Sequence, residues 1–151
     1  MIYHIKYTSF ILFSNADYGR FSVRNVEVTT NGYWSEICGY AEVPNPSYPA
    51  EFLVHFPTPP AGDLWILDTD YENFSSVYAC TDFFGVFKIE FAWILVRDPK
   101  NVAFEAISRA LDAFKKQNLS TDGFLPMAHE NCGDYENPAG GKPCIPGNWA
   151  P

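Results

Sequence analysis

The stretch Phe87-Lys88-Ile89-Glu90-Phe91-Ala92-Trp93-Ile94-Leu95-Val96-Arg97-Asp98-Pro99 decides the fold. Side chains alternate along an extended strand, so Phe87, Ile89, Phe91, Trp93 and Leu95 share one face. Lys88 and Glu90 take the other face, which turns apolar at Ala92, Ile94 and Val96. A second layer must therefore cover it, and the residues that follow supply one. Asp98 has the chemistry of an N-cap and Pro99 that of a first helical residue. Ala103, Ile107, Ala110, Leu111 and Phe114 then recur at helical spacing, with Glu105, Arg109, Asp112, Lys115 and Lys116 between them facing water. Lys115 and Lys116 suit the negative end of the helix dipole. The pattern predicts a strand over 87–95 and, after it, the chain's single helix.

Upstream, the sequence reads as short strands separated by turn residues. Ile5, Tyr7, Ser9 and Ile11 alternate with more polar neighbours, and residues 15–19 form a turn. Phe21 and Val23 share one parity while Val26 and Val28 take the other, which predicts a bulge near Arg24-Asn25. Asn31-Gly32 is a hairpin signal. A strand over 36–43 ends at Pro44-Asn45-Pro46, and Phe52, Val54 and Phe56 alternate in the next. Residues 57–62 are a turn, and strands over 64–69 and 74–80 are joined by Asp70-Tyr71-Glu72-Asn73. Phe124-Leu125-Pro126-Met127 is read as a short last strand, and the Pro/Gly-rich residues from Gly133 onward as a tail without a core. Short strands followed by one helix give an all-β class, a sandwich or an up-and-down barrel. The helix after the last main strand favours the barrel, and about eight strands leave room for one small ligand.

Composition narrows the function. The 151 residues suit one domain, and thirteen Phe, nine Tyr and four Trp supply a core and a lined cavity. The formal net charge of -8, with ten Lys and Arg, is opposite to that of a nucleic-acid binder or a protein of anionic membrane surfaces. No run reaches the roughly 18–20 apolar residues of a membrane helix. Phe10-Ile11-Leu12-Phe13 is too short for the apolar part of a signal peptide, so the N-terminus reads as a strand. Cys38, Cys80, Cys132 and Cys144 form no CxxC pair, which argues against a zinc site and leaves disulfides in an oxidising compartment. Asn73-Phe74-Ser75 and Asn118-Leu119-Ser120 are glycosylation triplets, a weak sign of secretion.

Four blocks in order carry a family resemblance. Leu67-Asp68-Thr69-Asp70-Tyr71-Glu72-Asn73-Phe74 with Val77-Tyr78-Ala79-Cys80 resembles the second lipocalin signature, in which a TDY turn joins two strands. Residues 92–99 resemble the third, a strand ending in Arg before the helix. Ile37-Cys38-Gly39-Tyr40-Ala41 is similar to the family's I-x-G-x-A strand, and residues 50–56 to its A-x-L-x-V-x-F strand. Within lipocalins the chain resembles the apolipoprotein-D-like group, with crustacyanin, insecticyanin and bilin-binding protein. The resemblance implies an up-and-down lipocalin barrel over 1–132 with one C-terminal helix outside it, a tail over 133–151 and a secreted, extracellular protein, though no signal peptide is present. The opening Gly-x-Trp strand has no counterpart upstream of His4, so the first strand is expected to be missing. Gly32-Tyr33-Trp34 has the letters but follows a hairpin turn too close to Asp70, and is read as a decoy. The family stacks the signature Arg on that first Trp, so Arg97 is expected to lack this partner. It also pairs the cysteines corresponding to Cys80 and Cys132 with cysteines that this sequence lacks. Cys38 and Cys144 are available to substitute, with no pairing fixed.

Parity and the resemblance together place Ile5, Tyr7, Phe21, Val23, Ile37, Phe52, Val54, Phe56, Leu64, Ile66, Val77, Phe91 and Trp93 on the inward, ligand-binding face. Each either touches a ligand or simply fills a small core. Flat walls suit a polyene or tetrapyrrole, which singles out Tyr7, Phe56, Phe91 and Trp93, with Tyr7 or Ser75 to orient the ligand. The expected occupant is a non-covalently held pigment, a carotenoid or bilin, or else a fatty acid or steroid. The alternative is an interaction subunit in an assembly with other lipocalins, since unpaired strand edges invite partners. His55 has outward parity and reads as a surface histidine. Asp68, Asp70 and Glu72 cluster, but the TDY turn explains two of them. Cys38 faces outward by parity with no base beside it, so no catalytic residue, metal site or cofactor is expected.

Overall fold

The computed structural model describes residues 5–13, 20–29, 34–57 and 60–127, and for 5–13, 27–29 and 34 the backbone alone. The chain divides into two compact units, residues 1–42 with 55–60 and 126–151, and residues 43–54 with 61–125.

The first unit holds β1 (Ile5–Phe13), β2 (Arg20–Thr29) and β3 (Trp34–Glu42). β1 runs antiparallel to β2, with a register shift between Ile5 and Tyr7. β2 runs antiparallel to β3 from Arg20 opposite Glu42 to Val28 opposite Trp34 without a break, so the bulge expected near Arg24-Asn25 is absent from that ladder. The parity slip has another cause. Val23 and Val26 lie on opposite faces and are 4% and 0% exposed, so the middle of β2 buries an apolar side chain on each side and hydrophobicity changes parity there without a bulge. Arg24 is buried beside Val26 and pairs with Glu36. Trp34 opens the third strand, as expected of a decoy. Asn31-Gly32 lies outside the described residues.

The second unit begins with the proline loop after β3. The Asn45 side chain accepts a hydrogen bond from the Ser47 amide at 3.0 Å, and the Asn45 carbonyl from the Tyr48 amide at 2.9 Å. Such Asx geometry closes a turn without a strand partner. β4 (Glu51–His55), whose last residue belongs to the first unit, precedes β5 (Gly62–Thr69), β6 (Phe74–Phe83) and β7 (Phe87–Val96). β4 pairs with β5, β5 with β6 and β6 with β7, all antiparallel, with one shift on β5 between Ile66 and Asp68. β6 runs three residues past Cys80 because its hairpin closes at Phe84-Gly85, a tip with no Asn-Gly signal. Both residues have positive φ, 57° and 71°, and Val86 donates to the Phe83 carbonyl at 3.0 Å, within the three residues that separate the paired Phe83 and Phe87.

The β5–β6 turn is organised by one carboxylate. Asp70 accepts hydrogen bonds from the amides of Glu72, Asn73 and Phe74 and from the Asn73 side chain, at 2.7–3.1 Å. The Asn73 side chain, then the Asn73 and Phe74 amides, hold the Asp70 carboxyl far below the usual carboxylate range, against a smaller opposing effect of desolvation. A depressed folded pKa gives stability that is present above the ordinary value and lost as pH falls through the folded one. Between about pH 5 and pH 2 the wild-type chain is therefore expected to lose more stability than Asp70→Asn, compared by urea midpoints. Asp68, Asp98 and Glu42 are held low in both chains, so the difference isolates Asp70. Parallel pH profiles would refute the assignment.

The helix α1 spans Phe104–Lys116 and starts later than Asp98-Pro99 predicts. Asp98 is already used: its carboxylate accepts from the Lys100 amide at 3.0 Å and the Asn101 side chain at 2.8 Å, and its carbonyl from the Asn101 amide. It therefore closes a local turn, and the helix begins behind Ala103 with no side-chain cap. Ala110, Ala113 and Phe114 form its buried stripe, and the buried Ser76 hydroxyl of β6 donates to the Ala110 carbonyl at 2.9 Å. The helix ends in a Schellman motif. Asn118 has φ 57°, Leu119 donates to the Phe114 carbonyl at 3.0 Å and Asn118 to the Lys115 carbonyl at 2.9 Å. Residues 124–127 are not a strand; the Phe124 ring instead packs on Phe114 at 4.9 Å. No helix among the described residues is long and apolar enough to cross a membrane.

Candidate functional site

In the first unit the β2–β3 register sets Phe21 opposite Ala41, Val23 opposite Gly39 and Asn25 opposite Ile37, so the predicted Phe21, Val23 and Ile37 share a face. Ile5 and Tyr7 lie on β1, with Tyr7 opposite Val28; their side chains lie outside the described residues. Two features of this face escape sequence reasoning. Gly39 admits the chain at His55 and Phe56: a Cβ on it would stand 2.1 Å from the His55 carbonyl oxygen and 2.8 Å from Cδ1 of Phe56. The Asn25 side-chain oxygen is buried and accepts no hydrogen bond among the described residues. Its parity with Val23 was the available signal. One buried acceptor among apolar side chains is the kind of group that orients a ligand.

The opposite face of this unit explains His55 without a ligand. Its ring stacks on Tyr40 at 4.4 Å and 9°, and Nε2 lies 3.1 Å from Glu42 Oε1. Arg20 donates to the same carboxylate at 2.8 Å and lies over the Tyr40 ring. Burial pushes the Glu42 carboxyl up, but the hydrogen bonds and charges of Arg20 and His55 outweigh it and hold it below its ordinary value. Cys38 stands opposite Arg24, on the face away from Val23 and Ile37, as its parity required.

In the second unit Phe52 lies opposite Leu64, Val54 opposite Gly62, Ile66 opposite Val77, Val77 opposite Trp93 and Ala79 opposite Phe91. The predicted residues of β5, β6 and β7 thus form one cross-strand row. Phe91 and Trp93 stack with centroids 5.6 Å apart and planes 9° from parallel. Along this row burial falls off toward the β6–β7 hairpin: Val77 is buried, Trp93 half-buried, Phe91 52% exposed, and Phe87 and Ile89 are exposed too. Val54 and Val77 therefore pack the core, and Phe91 is the more exposed ring of the stacked pair.

The carboxylates near the TDY turn have structural roles. Arg109 grips Asp68 at 2.8 and 2.7 Å, and the Arg109 hydrogen bond, against some desolvation, lowers the Asp68 carboxyl. Arg97 donates to the carbonyls of Glu72 and Tyr71 at 3.0 and 2.9 Å, tying the turn to the end of β7. No cluster of three metal-ligating side chains occurs among the described residues.

A cleft of about 650 Å³ lies on the helix side of this unit, lined in part by Tyr48, Glu51, Trp65 and Tyr78. Of the predicted ligand residues, Ile66 alone contributes to it.

The model of the lipocalin / cytosolic fatty-acid binding protein family matches residues 14–128. Apolipoprotein D of Mus musculus is 35% identical over 124 residues, 82% of this chain and 65% of the relative. The crustacyanin-A1 subunit of Homarus gammarus is 28% identical over 93 residues, 62% of this chain and 51% of the relative. Among solved structures, apocrustacyanin C2 is similar with a TM-score of 0.72 at 22% identity, covering 89% of this chain and 73% of that one. Lobster apocrustacyanin A1 follows with 0.65 at 23% identity, over 80% and 64%. At these identities the likeness is one of fold. The chain spans about 65% of the length of the apolipoprotein D relatives.

Proposed function

The chain belongs to the lipocalin / cytosolic fatty-acid binding protein family, and from that premise we propose that it is a binding protein, not a catalyst, for a small hydrophobic ligand held without a covalent bond. The observation that carries the reading is the Phe91–Trp93 stack beside Val77. Two parallel rings beside an apolar row match the shape of an extended π system, which favours a carotenoid or bilin over a fatty acid or steroid. Burial of apolar area, at roughly 25 cal/mol per Å², supplies the driving force. Within the second unit the ligand-contacting residues we propose are Phe91 and Trp93, with Val54 and Val77 as packing.

An extracellular setting is part of the proposal. We propose that Cys38 is held in a disulfide, which fits an oxidising compartment and leaves no thiol nucleophile at that position. Cys80 carries a free, half-buried thiol.

The test is the absorption spectrum of the protein from its native source, before and after organic extraction, followed by rebinding of the extract. A visible band that shifts on extraction is expected, and Trp93→Ala is expected to weaken rebinding at least about tenfold through lost aromatic contact. Rebinding unchanged by Trp93→Ala would overturn the site, and an extract without any apolar molecule would overturn the function. A second reading, an assembly subunit, is favoured by the β6–β7 hairpin tip, where Phe84 is fully exposed and Val86 and Phe87 stand out beside it. Sedimentation showing a ligand-free oligomer would select it.

A further inference from the structure

The helix-side cleft has a chemistry unlike that of the Phe91–Trp93 face. Tyr78 lies two residues from Ser76, whose hydroxyl bonds the helix, so the Tyr78 ring is on the helix side. The register continues this row across three strands: Glu51 opposite Trp65, and Trp65 opposite Tyr78. The Trp65 and Tyr78 rings are 6.0 Å apart and inclined by 34°, so two π systems stand side by side on this face. The Tyr78 hydroxyl donates to Glu90 at 2.5 Å, fixing the ring, while burial and then Glu90 push the phenol up, so it stays neutral. Tyr48, 63% exposed, and Pro49 stand on the loop side, and Gln117 and Leu119 bring the end of α1 to the opposite rim.

The charge at the cleft is negative. Among the described residues its lining holds one formal charge, Glu51, and no cationic side chain. The C-terminus of α1 presents the negative end of the helix dipole. The ring faces carry negative quadrupole density. Of the nearby cations, Lys115 pairs with Asp112 at 3.2 Å and Lys116 acts on Asp68, and neither lines the cleft. An anion would be repelled here, and a neutral apolar molecule would gain nothing from the carboxylate.

We propose that this cleft is a second binding site, separate from the hydrophobic-ligand face, for an organic cation with an apolar shell, of the quaternary ammonium class. The cation sits over the neighbouring Trp65 and Tyr78 rings with its charge toward Glu51, and Tyr48 lines the rim.

The experiment titrates the full chain with choline, and with its neutral isostere in which carbon replaces nitrogen, following the Trp65 indole by NMR. Choline is expected to give a saturable shift, and the isostere a response at least about tenfold weaker. Glu51→Gln and Tyr48→Ala, one on the sheet row and one on an exposed loop, are each expected to weaken choline about fivefold while leaving the hydrophobic ligand's affinity unchanged. Equal responses to the two probes would reduce the site to an apolar cleft and overturn the proposal. So would a choline response that never saturates, or one that both variants leave unaltered.

Discussion

Gly39→Ala is expected to destabilise the chain by about 3 kcal/mol, the upper end of the range for overpacking. The new Cβ would stand 2.1 Å from the His55 carbonyl oxygen and 3.1 Å from its carbon, with Phe56 Cδ1 at 2.8 Å. A ring can rotate away from a methyl group, but a carbonyl moves only with its strand. His55 is also held where it is by the Tyr40 stack and the Glu42 carboxylate, so displacement disrupts a second set of contacts. Gly62→Ala is the control, because nothing lies within 4 Å of its Cβ position, and its effect should stay within about 1 kcal/mol. Urea unfolding of the three proteins decides the matter. A Gly39→Ala loss no larger than that of Gly62→Ala would mean that β3 and the segment at His55 are not so closely apposed.

Phe114→Ala should cost about 3–5 kcal/mol, the usual loss for a buried phenylalanine. Phe114 is 0% exposed and lies between the helix stripe of Ala110 and Ala113 and the tilted ring of Phe124. The neighbours on the helix are alanines, which have no atoms to move into the void, so the cavity should stay open. Phe104, at the first turn of the same helix, is exposed, and Phe104→Ala should change stability by no more than about 0.5 kcal/mol. The comparison by chemical denaturation separates packing from helix propensity, since both substitutions place alanine in one helix. Equal effects at the two positions would show that the Phe114 face does not anchor α1.

Much of the architecture was legible because it rests on alternation. Phe87, Ile89, Phe91, Trp93 and Leu95 gave β7 to within one residue, and the four lipocalin-like blocks gave the family. The misreadings share a physical basis. Asp98 and Pro99 have the chemistry of a helix start, but the same Asp oxygens satisfy Lys100 and Asn101 first, and a side chain used in a turn is not left to cap. At Arg24-Asn25 the change of parity looked like a bulge because the middle of β2 buries a valine on each face, Val23 on one and Val26 on the other. The hairpin at Phe84-Gly85 lacked its usual asparagine, so the end of β6 went unread. The helix-side cleft had no signal at all. Its walls come from Tyr48, Trp65, Tyr78 and Gln117, distant in sequence and joined only by register and by the helix end.

The Asp70 turn bears on how the chain finds its shape. Four residues, 70–73, separate the end of β5 at Thr69 from the start of β6 at Phe74. Closure entropy grows with about 1.5 RT ln n for a loop of n residues, so this contact is among the least costly long-lived ones the chain can form. The hydrogen bonds that the Asp70 carboxylate accepts all come from residues 72–74, and none of these waits for a distant strand. The shift between Ile66 and Asp68 sits just beyond it, so the turn fixes the pairing before that irregularity is reached. Each further strand of this unit adds to a neighbour in sequence, which keeps contact order low for an all-β protein. A single carboxylate at the turn thus acts on the folding route as well as on the finished fold.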